Sequence, residues 1–342
     1  MHVTMKKIAD LAGVSRGTVD RALNGRGKVK PEVANRVREI AKALNYSPNT
    51  VAKSLSSRRK KTKICVILHA QRNLFFDDVI KGVEDAAATI KDFGIQVDVR
   101  LGYNFDPEYQ LKLLDEAVAE GFNAIAITAI NDARIIERIK KYSGEGLPIV
   151  LLSSWLDIED ILAYVGCDYP KSGKLSAGLI NMLTNGNARI GIVTPPFSML
   201  GHRLRIDAFN ASISVDYPGL EVRATLEIPF DDEQTYVITK NMLETHPEID
   251  TLFYATGAFS GGLRAVKDLG LYGKLTIISV DLALPVVQAL QDKAVIATIC
   301  QNPVGQGFMA IRVLFDYLIT GKLPEKRETL IEPVIKIRES IL

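Results

Sequence analysis

Cysteine and histidine are scarce in this chain of 342 residues, which holds three cysteines and four histidines. Cys65, Cys167 and Cys300 lie far apart inside apolar runs. An odd number without regular spacing excludes a disulfide framework and predicts buried, reduced thiols. No pair of histidines or cysteines has the spacing of metal ligands. The sequence therefore predicts no metal and no other cofactor.

Long apolar runs are also missing, because the longest have only the length of a strand. Lys6, Lys7 and Asp10 interrupt the N-terminal stretch, where a signal segment would be apolar. We therefore expect a cytoplasmic protein without membrane contact. The chain has no Gly-x-Ser-x-Gly elbow, no phosphate-cradling loop and no Gly-x-Gly-x-x-Gly after a strand. On these grounds we expect no enzyme activity.

Positive charge is concentrated at one end of the chain. Residues 1–62 hold 15 lysines and arginines against four acidic residues, so they carry +11, whereas the whole chain carries +2. The remaining 280 residues must therefore carry −9. A basic block of this density indicates a polyanionic partner. A solvated basic face without a partner is the alternative.

Two short helices are predicted within residues 8–24. Gly13 ends the first helix, and the Ser15 hydroxyl is placed to cap the second. The apolar positions are Ile8, Leu11 and Ala12 in the first helix and Val19, Ala22 and Leu23 in the second. Two such helices joined by a tight turn form a helix-turn-helix, whose second helix enters the DNA major groove with its N-terminal residues. Those residues are Arg16, Gly17 and Thr18, with Arg21 one turn later. An ordinary helical core is the alternative.

A third helix is predicted from Pro31 to Leu44, with apolar residues at the helical period. After Pro48, Asn49 can cap a very short helix that ends near Ser56. A helix of two turns is unstable alone in water, so DNA or a second copy of the chain would have to hold it. Leu55 is then a candidate wedge between base steps in the minor groove. A plain linker is the alternative.

The N-terminal block resembles the headpiece of the lac-repressor (LacI) family of bacterial transcription regulators. The matching residues are Ile8-Ala9, Ala12 to Ser15, Thr18-Val19, Arg21, Leu23-Asn24, Val37 to Leu44, Tyr46, Pro48-Asn49, Ala52 and Leu55. The resemblance implies DNA contacts from Thr4, Ser15, Arg16, Gly17, Thr18, Arg21, Asn24, Tyr46, Asn49, Ala52 and Leu55. Asp20 departs from the pattern, because a small hydroxyl residue is usual there. Gly17 offers no side chain to a base, so Arg16 and Arg21 would do most of the reading.

Strands and helices alternate from Lys63 onward, and the pattern restarts near Tyr164. Such alternation predicts parallel sheets with helices on both faces. Two successive doubly wound runs predict two lobes with a cleft between them, and ligands of such sheets bind beyond the carboxyl ends of the strands. The fold class expected is therefore an all-α helix-turn-helix headpiece followed by an α/β core of two parallel-sheet lobes.

The core resembles the periplasmic sugar-binding proteins, most closely the ribose-binding type, which share their fold with the regulatory core of the LacI family. The resemblance implies ligand contacts from His69, Asn73, Phe75, Phe76, Arg203, Asp281 and Gln301. Two strand ends depart from the pattern. Ser153-Ser154-Trp155 replaces the usual Asp-Arg pair, and Ala255-Thr256-Gly257 replaces the usual Asn-Asp pair. We expect Ser153 and Thr256 to line the pocket in their place.

Trp155 is the only tryptophan and is expected to face the cleft and stack on the ligand. Core packing is the alternative for Trp155, and lid or core packing is the alternative for Phe75 and Phe76. A pentose, a hexose, a polyol and a phosphorylated sugar all remain possible ligands at this point.

These observations predict a headpiece over residues 1–46, a hinge helix and linker over 47–62 and a core over 63–342. The first lobe is expected at about 63–165 and 302–327, and the second at about 166–301 and 328–342. The expected function is that of a repressor whose affinity for a pseudo-palindromic double-stranded operator is controlled by a small carbohydrate effector. We expect a homodimer, because two headpieces need two half-sites. A corepressor-dependent regulator and a sugar-binding transport or sensory protein are the alternatives.

Overall fold

The computed structural model describes residues 5–24, 29–44, 62–69, 74–103, 105–228, 231–257 and 259–341. The chain forms two compact units, which divide between Ser56 and Ser57. The predicted hinge helix lies outside the described residues. Within the described ranges, no helix is both long and apolar enough to cross a membrane.

The first unit is a bundle of three helices, as the sequence predicts. The helices are α1 (Met5–Ala12), α2 (Arg16–Asn24) and α3 (Pro31–Ala43). Gly13 joins the first two with a left-handed φ of 63°, a conformation that glycine adopts without steric cost. The buried core consists of Ile8, Ala9, Ala12, Val19, Ala22, Ala34, Val37 and Ala41. These eight residues confirm the predicted helix-turn-helix with its third supporting helix.

Leu11, an apolar position of the first helix, does not belong to this core. Its side chain is 58% exposed, whereas Ile8 and Ala12 are buried. The buried stripe of α1 runs through Ile8, Ala9 and Ala12, and Leu11 lies beyond the edge of that stripe. A helix of only eight residues packed against two others buries a narrow stripe.

The second unit contains two six-stranded sheets with helices on both faces. The strands are β1 (Thr62–Leu68), β2 (Ile95–Leu101), β3 (Ala124–Ile127), β4 (Ile149–Leu152), β5 (Ala163–Cys167), β6 (Ala188–Thr194), β7 (Leu220–Glu227), β8 (Thr251–Tyr254), β9 (Thr276–Val280), β10 (Ala297–Cys300), β11 (Glu328–Ile331) and β12 (Val334–Ile337). The helices are α4 (Leu74–Ile90), α5 (Pro107–Ala119), α6 (Ala133–Gly144), α7 (Tyr169–Leu183), α8 (Leu200–Asp216), α9 (Asp232–Thr245), α10 (Ser260–Asp268), α11 (Leu284–Gln291) and α12 (Pro303–Thr320).

The strand orders are β11-β5-β4-β3-β1-β2 and β12-β10-β9-β8-β6-β7. All pairings are parallel except that of β10 with β12. Each sheet belongs to one lobe, and the chain passes between the lobes after β5, after β10 and after β11. The two doubly wound lobes confirm the predicted fold class.

The last strands correct one expected lobe boundary. β11 pairs with β5 of the first sheet, with Glu328 opposite Tyr164. Only β12 joins the second sheet, where Val334 lies opposite Cys300. The second lobe therefore resumes after Ile331 and not at residue 328. The sequence between the two strands contains Pro333, and the crossing occurs there.

Helix α4 crosses α12 so closely that both helices need glycine at the contact. A Cβ on Gly82 would lie 1.9 Å from the carbonyl oxygen of Val304, and one on Gly307 would lie 2.1 Å from that of Val79. The contact fixes α4 on the first lobe and with it the ring of Phe76, which is 5% exposed. Helix packing therefore positions one wall of the predicted cleft.

Candidate nucleic-acid interface and ligand site

The N-terminus of α2 presents polar groups to solvent. The Ser15 hydroxyl accepts a hydrogen bond from the Thr18 amide at 3.2 Å, which confirms the predicted cap. The Ser15 and Thr18 hydroxyl oxygens lie 3.0 Å apart. The Arg21 guanidinium donates through Nε to the carbonyl oxygen of Gly17 at 3.1 Å, and both residues are exposed. This end of α2 is therefore free to meet a nucleic acid.

Other residues predicted to contact DNA fall outside these contacts. Arg16 and Asn24 belong to α2, and the structure describes their backbone. The remaining five lie outside the described residues, and they are Thr4, Tyr46, Asn49, Ala52 and Leu55.

The second unit gathers polar groups, from two side chains and one backbone carbonyl, at the carboxyl ends of three neighbouring strands of the second sheet. Ala255 follows β8, Asp281 follows β9 and Gln301 follows β10. Arg205, in α8, is fully buried against them. We call Arg205, His202, Asp281 and Gln301 the arginine cluster.

Arg205 commits most of its donors to neighbouring protein atoms. Nε donates to the Ser172 hydroxyl at 3.1 Å, and Nη2 donates to Oε1 of Gln301 at 2.6 Å. Nη1 donates to the Ala255 carbonyl oxygen at 3.1 Å and to Nδ1 of His202 at 3.0 Å. A guanidinium has five N–H donors, so four of the five are used.

Asp281 is held by Gln301 on one side. Nε2 of Gln301 donates to Oδ2 at 2.6 Å, and its backbone amide donates to Oδ1 at 3.2 Å. Burial raises the pKa of the Asp281 carboxyl, and the Arg205 charge and the Gln301 hydrogen bonds oppose that rise. Asp281 has a φ of 67°, which a non-glycine residue adopts only where its surroundings hold it.

Tyr169 connects the arginine cluster to the first lobe. Its hydroxyl donates to the carbonyl oxygen of Ser153 at 2.7 Å, and its ring centroid lies 5.0 Å from the Arg205 guanidinium carbon. Gly201 packs on the ring so closely that a Cβ there would lie 2.4 Å from the ring carbon Cζ. Ser153 follows β4 with a φ of 60°, and β4 stands third in its sheet as β9 does in the other. The two lobes therefore carry corresponding left-handed corners at Ser153 and Asp281.

His69 packs among aromatic rings in the first lobe. The His69 ring centroid lies 4.8 Å from that of Phe76 and 4.4 Å from that of Phe105. Nδ1–H of His69 donates to the Thr128 carbonyl oxygen at 3.0 Å. Burial lowers the pKa of His69 to about 4, so its imidazole is neutral at pH 7. Phe75, half-buried, meets Phe76 edge to face at 5.5 Å.

His202 is a second neutral imidazole. Burial first, and then the Arg205 charge, lower the pKa of His202 to about 3. His69, on the other lobe, also lowers the pKa of His202 slightly through its charge. The sequence analysis did not single out Tyr169 or Arg205.

Arg203, the arginine that the sequence analysis predicted to contact the ligand, lies outside the arginine cluster. Arg203 is an exposed residue whose Nε lies 3.6 Å from Oδ2 of Asp207, one turn along α8. Residues two apart on a helix point in nearly opposite directions, so only one of Arg203 and Arg205 can face the sheet. Ile206, Phe209 and Ile213 mark the buried stripe of α8, and Arg205 lies on it. That stripe was the signal in the sequence that could have found Arg205.

Trp155 lines a cavity at the edge of the first sheet. Its indole Nε1 lies 3.4 Å from Oε1 of Glu328, at the edge of the first sheet. The cavity there measures about 170 Å³ and is lined by Trp155, Tyr164, Cys167, Asp168, Tyr169, Pro170, Leu204, Glu328 and Leu330. The chain folds back onto this edge through β11, which the sequence analysis placed in the other lobe. Trp155 therefore packs beside β11.

The other predicted ligand residues are placed as follows. Thr256 is buried, with 7% of its surface exposed, directly after Ala255. Ser153 is buried, and among the described residues its hydroxyl oxygen has no hydrogen-bond partner. Asn73 lies outside the described residues. The structure thus brings Asp281 and Gln301 together with Arg205 and places Ser153 across from them beside Tyr169.

Two family models match the chain. The model of bacterial regulatory proteins of the lacI family matches residues 4–49, and that of the periplasmic binding protein domain matches residues 64–323. The chain is 27% identical over 352 residues to the ribose operon repressor of Haemophilus influenzae, covering 99% of this chain and 98% of that one. It is 26% identical over 300 residues to catabolite control protein A of Staphylococcus epidermidis, covering 86% and 79%.

Solved structures share the fold of the second unit. The glucose-galactose binding protein of Geobacillus stearothermophilus superposes with a TM-score of 0.76 at 20% identity, covering 82% of this chain and 99% of that chain. A transporter solute-binding protein of Bacillus halodurans, solved with bound myo-inositol, gives 0.73 at 18% identity, covering 82% and 96%. At these identities the likeness is one of fold.

Proposed function

Because the chain belongs to the lacI family of bacterial regulatory proteins, with a periplasmic binding protein domain as its core, we propose that it is an effector-controlled DNA-binding repressor. One observation carries the proposal. A basic helix-turn-helix and a two-lobed core with a buried polar cluster occur in one chain as separate compact units. Each unit has its own hydrophobic core, so each can bind its own partner.

The DNA contacts are proposed for the exposed end of α2. Arg21 and Thr18 lie there with Ser15 and Gly17, and an α2 N-terminus also favours phosphate oxygens through its free amides. We assign base reading to Arg16 and Arg21, and supporting contacts to Thr4, Asn24, Tyr46, Asn49 and Ala52. Leu55 is assigned the minor-groove wedge. The operator would be pseudo-palindromic and bound by a homodimer in the cytoplasm.

The effector site is proposed between the lobes, over the arginine cluster. Asp281 has carboxylate oxygens left to accept hydroxyl hydrogens after Gln301 has donated two hydrogen bonds. We assign the contacts from the first lobe to His69, Phe75, Phe76, Asn73 and Ser153, and a further contact from the second lobe to Thr256. Arg205 takes the role that the sequence analysis assigned to Arg203. A carbohydrate fits this combination, because its ring has an apolar face and a hydroxyl edge.

The mechanism proposed is a change in the angle between the lobes. The Tyr169–Ser153 hydrogen bond joins the lobes, and the Tyr169 ring lies against Arg205. A ligand that contacts both lobes favours one of their relative positions, and that preference is the free energy available to change operator affinity. The protein acts by binding and not by catalysis, so chemical turnover of a bound effector would contradict the proposal.

The proposal is tested by selecting DNA from a random-sequence library with the full chain and then measuring its affinity with and without sugars. A coupling free energy of about 1–3 kcal/mol changes the affinity about 5- to 150-fold. Weaker DNA binding identifies an inducer, and tighter binding identifies a corepressor. If no DNA sequence is enriched over the starting library, the repressor function is wrong.

Arg21→Ala should lower the affinity for the selected DNA about 10- to 100-fold, because a good arginine–guanine pair contributes about 1–3 kcal/mol. Arg38→Ala is the matched control. It removes the same charge from an exposed position on α3, where Nη1 donates to Oδ1 of Asn35. The control should weaken selected and random DNA alike. If Arg21→Ala also weakens both equally, Arg21 binds phosphate and does not read bases.

A further inference from the structure

We propose that the effector is an uncharged polyhydroxylated compound and that the site rejects its phosphorylated form. The inference rests on the proposed function and narrows it, because the sequence leaves free and phosphorylated sugars equally open. The inference rests on three observations: the hydrogen bonds that Arg205 donates, the carboxylate of Asp281, and the hydrogen bonds of the neutral imidazoles of His69 and His202.

The first argument is that Arg205 is not available to bind an anion. It is fully buried, and its contacts with Ser172, His202, Ala255 and Gln301 use four of its five N–H groups. Tight phosphate recognition by arginine uses two parallel N–H donors. A further side-chain hydrogen bond joins Arg205 to Cys167. Arg205 would therefore have to break existing hydrogen bonds to bind a phosphate through two donors.

The second argument concerns the charge that remains. Asp281 presents carboxylate oxygens that keep lone pairs free after Gln301 has donated two hydrogen bonds to them. A carboxylate repels a phosphate dianion and accepts hydrogen bonds from hydroxyls.

The third argument is the hydrogen-bond pattern of the imidazoles. Because Nδ1–H of His69 donates to the Thr128 carbonyl oxygen, its neutral ring carries an acceptor at Nε2. Nδ1 of His202 accepts from Arg205, and its imidazole is also hydrogen-bonded to the backbone of Ala255. A hydroxyl can donate to the acceptor on His69, whereas an ionised phosphate oxygen only accepts.

The test compares matched pairs on the full chain by titration calorimetry at pH 7.5. The pairs are D-ribose with D-ribose 5-phosphate, D-glucose with D-glucose 6-phosphate, and myo-inositol with its monophosphate. We expect at least one parent compound to bind and its phosphate to bind at least about 30-fold more weakly, since opposed like charges cost several kcal/mol. A phosphate that binds as tightly as its parent, or more tightly, overturns this inference and leaves the proposed function standing. If neither member of any pair binds, the carbohydrate function itself is wrong and this inference falls with it.

A variant without the Asp281 charge distinguishes electrostatic repulsion of the phosphate from its steric exclusion. Asp281→Asn keeps the shape and removes the charge, so the parent should bind more weakly while the ratio between parent and phosphate shrinks about tenfold or more. Asp207→Asn is the control, because it removes one carboxylate that lies outside the cluster beside Arg203. The control should leave the ratio unchanged. An unchanged ratio in Asp281→Asn would show that Asp281 does not exclude the phosphate.

Discussion

Replacing Arg205 by alanine should lower the free energy of unfolding of the core by about 3–5 kcal/mol, the usual cost of removing one partner from a buried charged network. The variant should also fail to bind the effector. Four hydrogen bonds disappear, and their acceptors on Ser172, His202, Ala255 and Gln301 lose a buried donor. A buried acceptor without a partner costs about 1–3 kcal/mol.

Urea unfolding followed by tryptophan fluorescence measures this change. Trp155 is the only tryptophan, and it lies in the second unit, so its signal reports the core alone. Arg203→Ala is the matched control. Among the described residues, the contact seen for the Arg203 guanidinium is an exposed one with Asp207 on the same helix, and pairs of that kind contribute about 0.3–0.5 kcal/mol.

The two arginines therefore differ about tenfold in their expected effect on stability, although they are two residues apart. If Arg203→Ala were the more damaging substitution, the assignment of Arg205 to the cluster would be wrong. If both variants unfolded like the unmodified chain, the cluster would contribute nothing to the stability of the core.

The elements of the fold could be predicted because their signals are local. Gly13 and Ser15 mark the turn between α1 and α2 through residue types that a turn and a cap require. The alternation of strands and helices after Lys63 fixes the fold class in the same way. Asp281 and Gln301 were predicted from the resemblance to sugar-binding proteins, and in the structure each directly follows a strand of the second sheet.

The rest depended on contacts between distant parts of the chain. Strand β11 could belong to either lobe on its sequence, and only its pairing with β5 decides the matter. That pairing also places Glu328 beside the indole of Trp155. In the sequence, nothing distinguishes Tyr169 from any other residue in the first turn of a helix. Its contacts with Ser153 and Arg205 arise from packing across the lobes. The left-handed backbone conformations of Ser153 and Asp281 could not be predicted from the sequence, because neither residue is glycine.

Replacing Val37 by aspartate should abolish DNA binding while leaving the core folded. Val37 is fully buried in the centre of α3, within a core of only eight buried residues. An unpaired carboxylate in an apolar core costs several kcal/mol. A domain of about 45 residues has only a few kcal/mol of stability in total, so the headpiece should unfold. We expect the affinity for selected DNA to fall more than about 100-fold.

Asn35→Asp provides the control, because it adds the same negative charge to the same helix at an exposed position. Its side-chain oxygen can still accept from Arg38, as Asn35 does. The control should lose only the few-fold affinity expected from one added negative charge. The unfolding curve of the core, followed through Trp155, should be the same in both variants and in the unmodified chain. A Val37→Asp protein that still bound selected DNA would remove the helix-turn-helix from the proposal. One whose core unfolded with the headpiece would show that the two units fold together, and the assignment of separate partners to separate units would then fail.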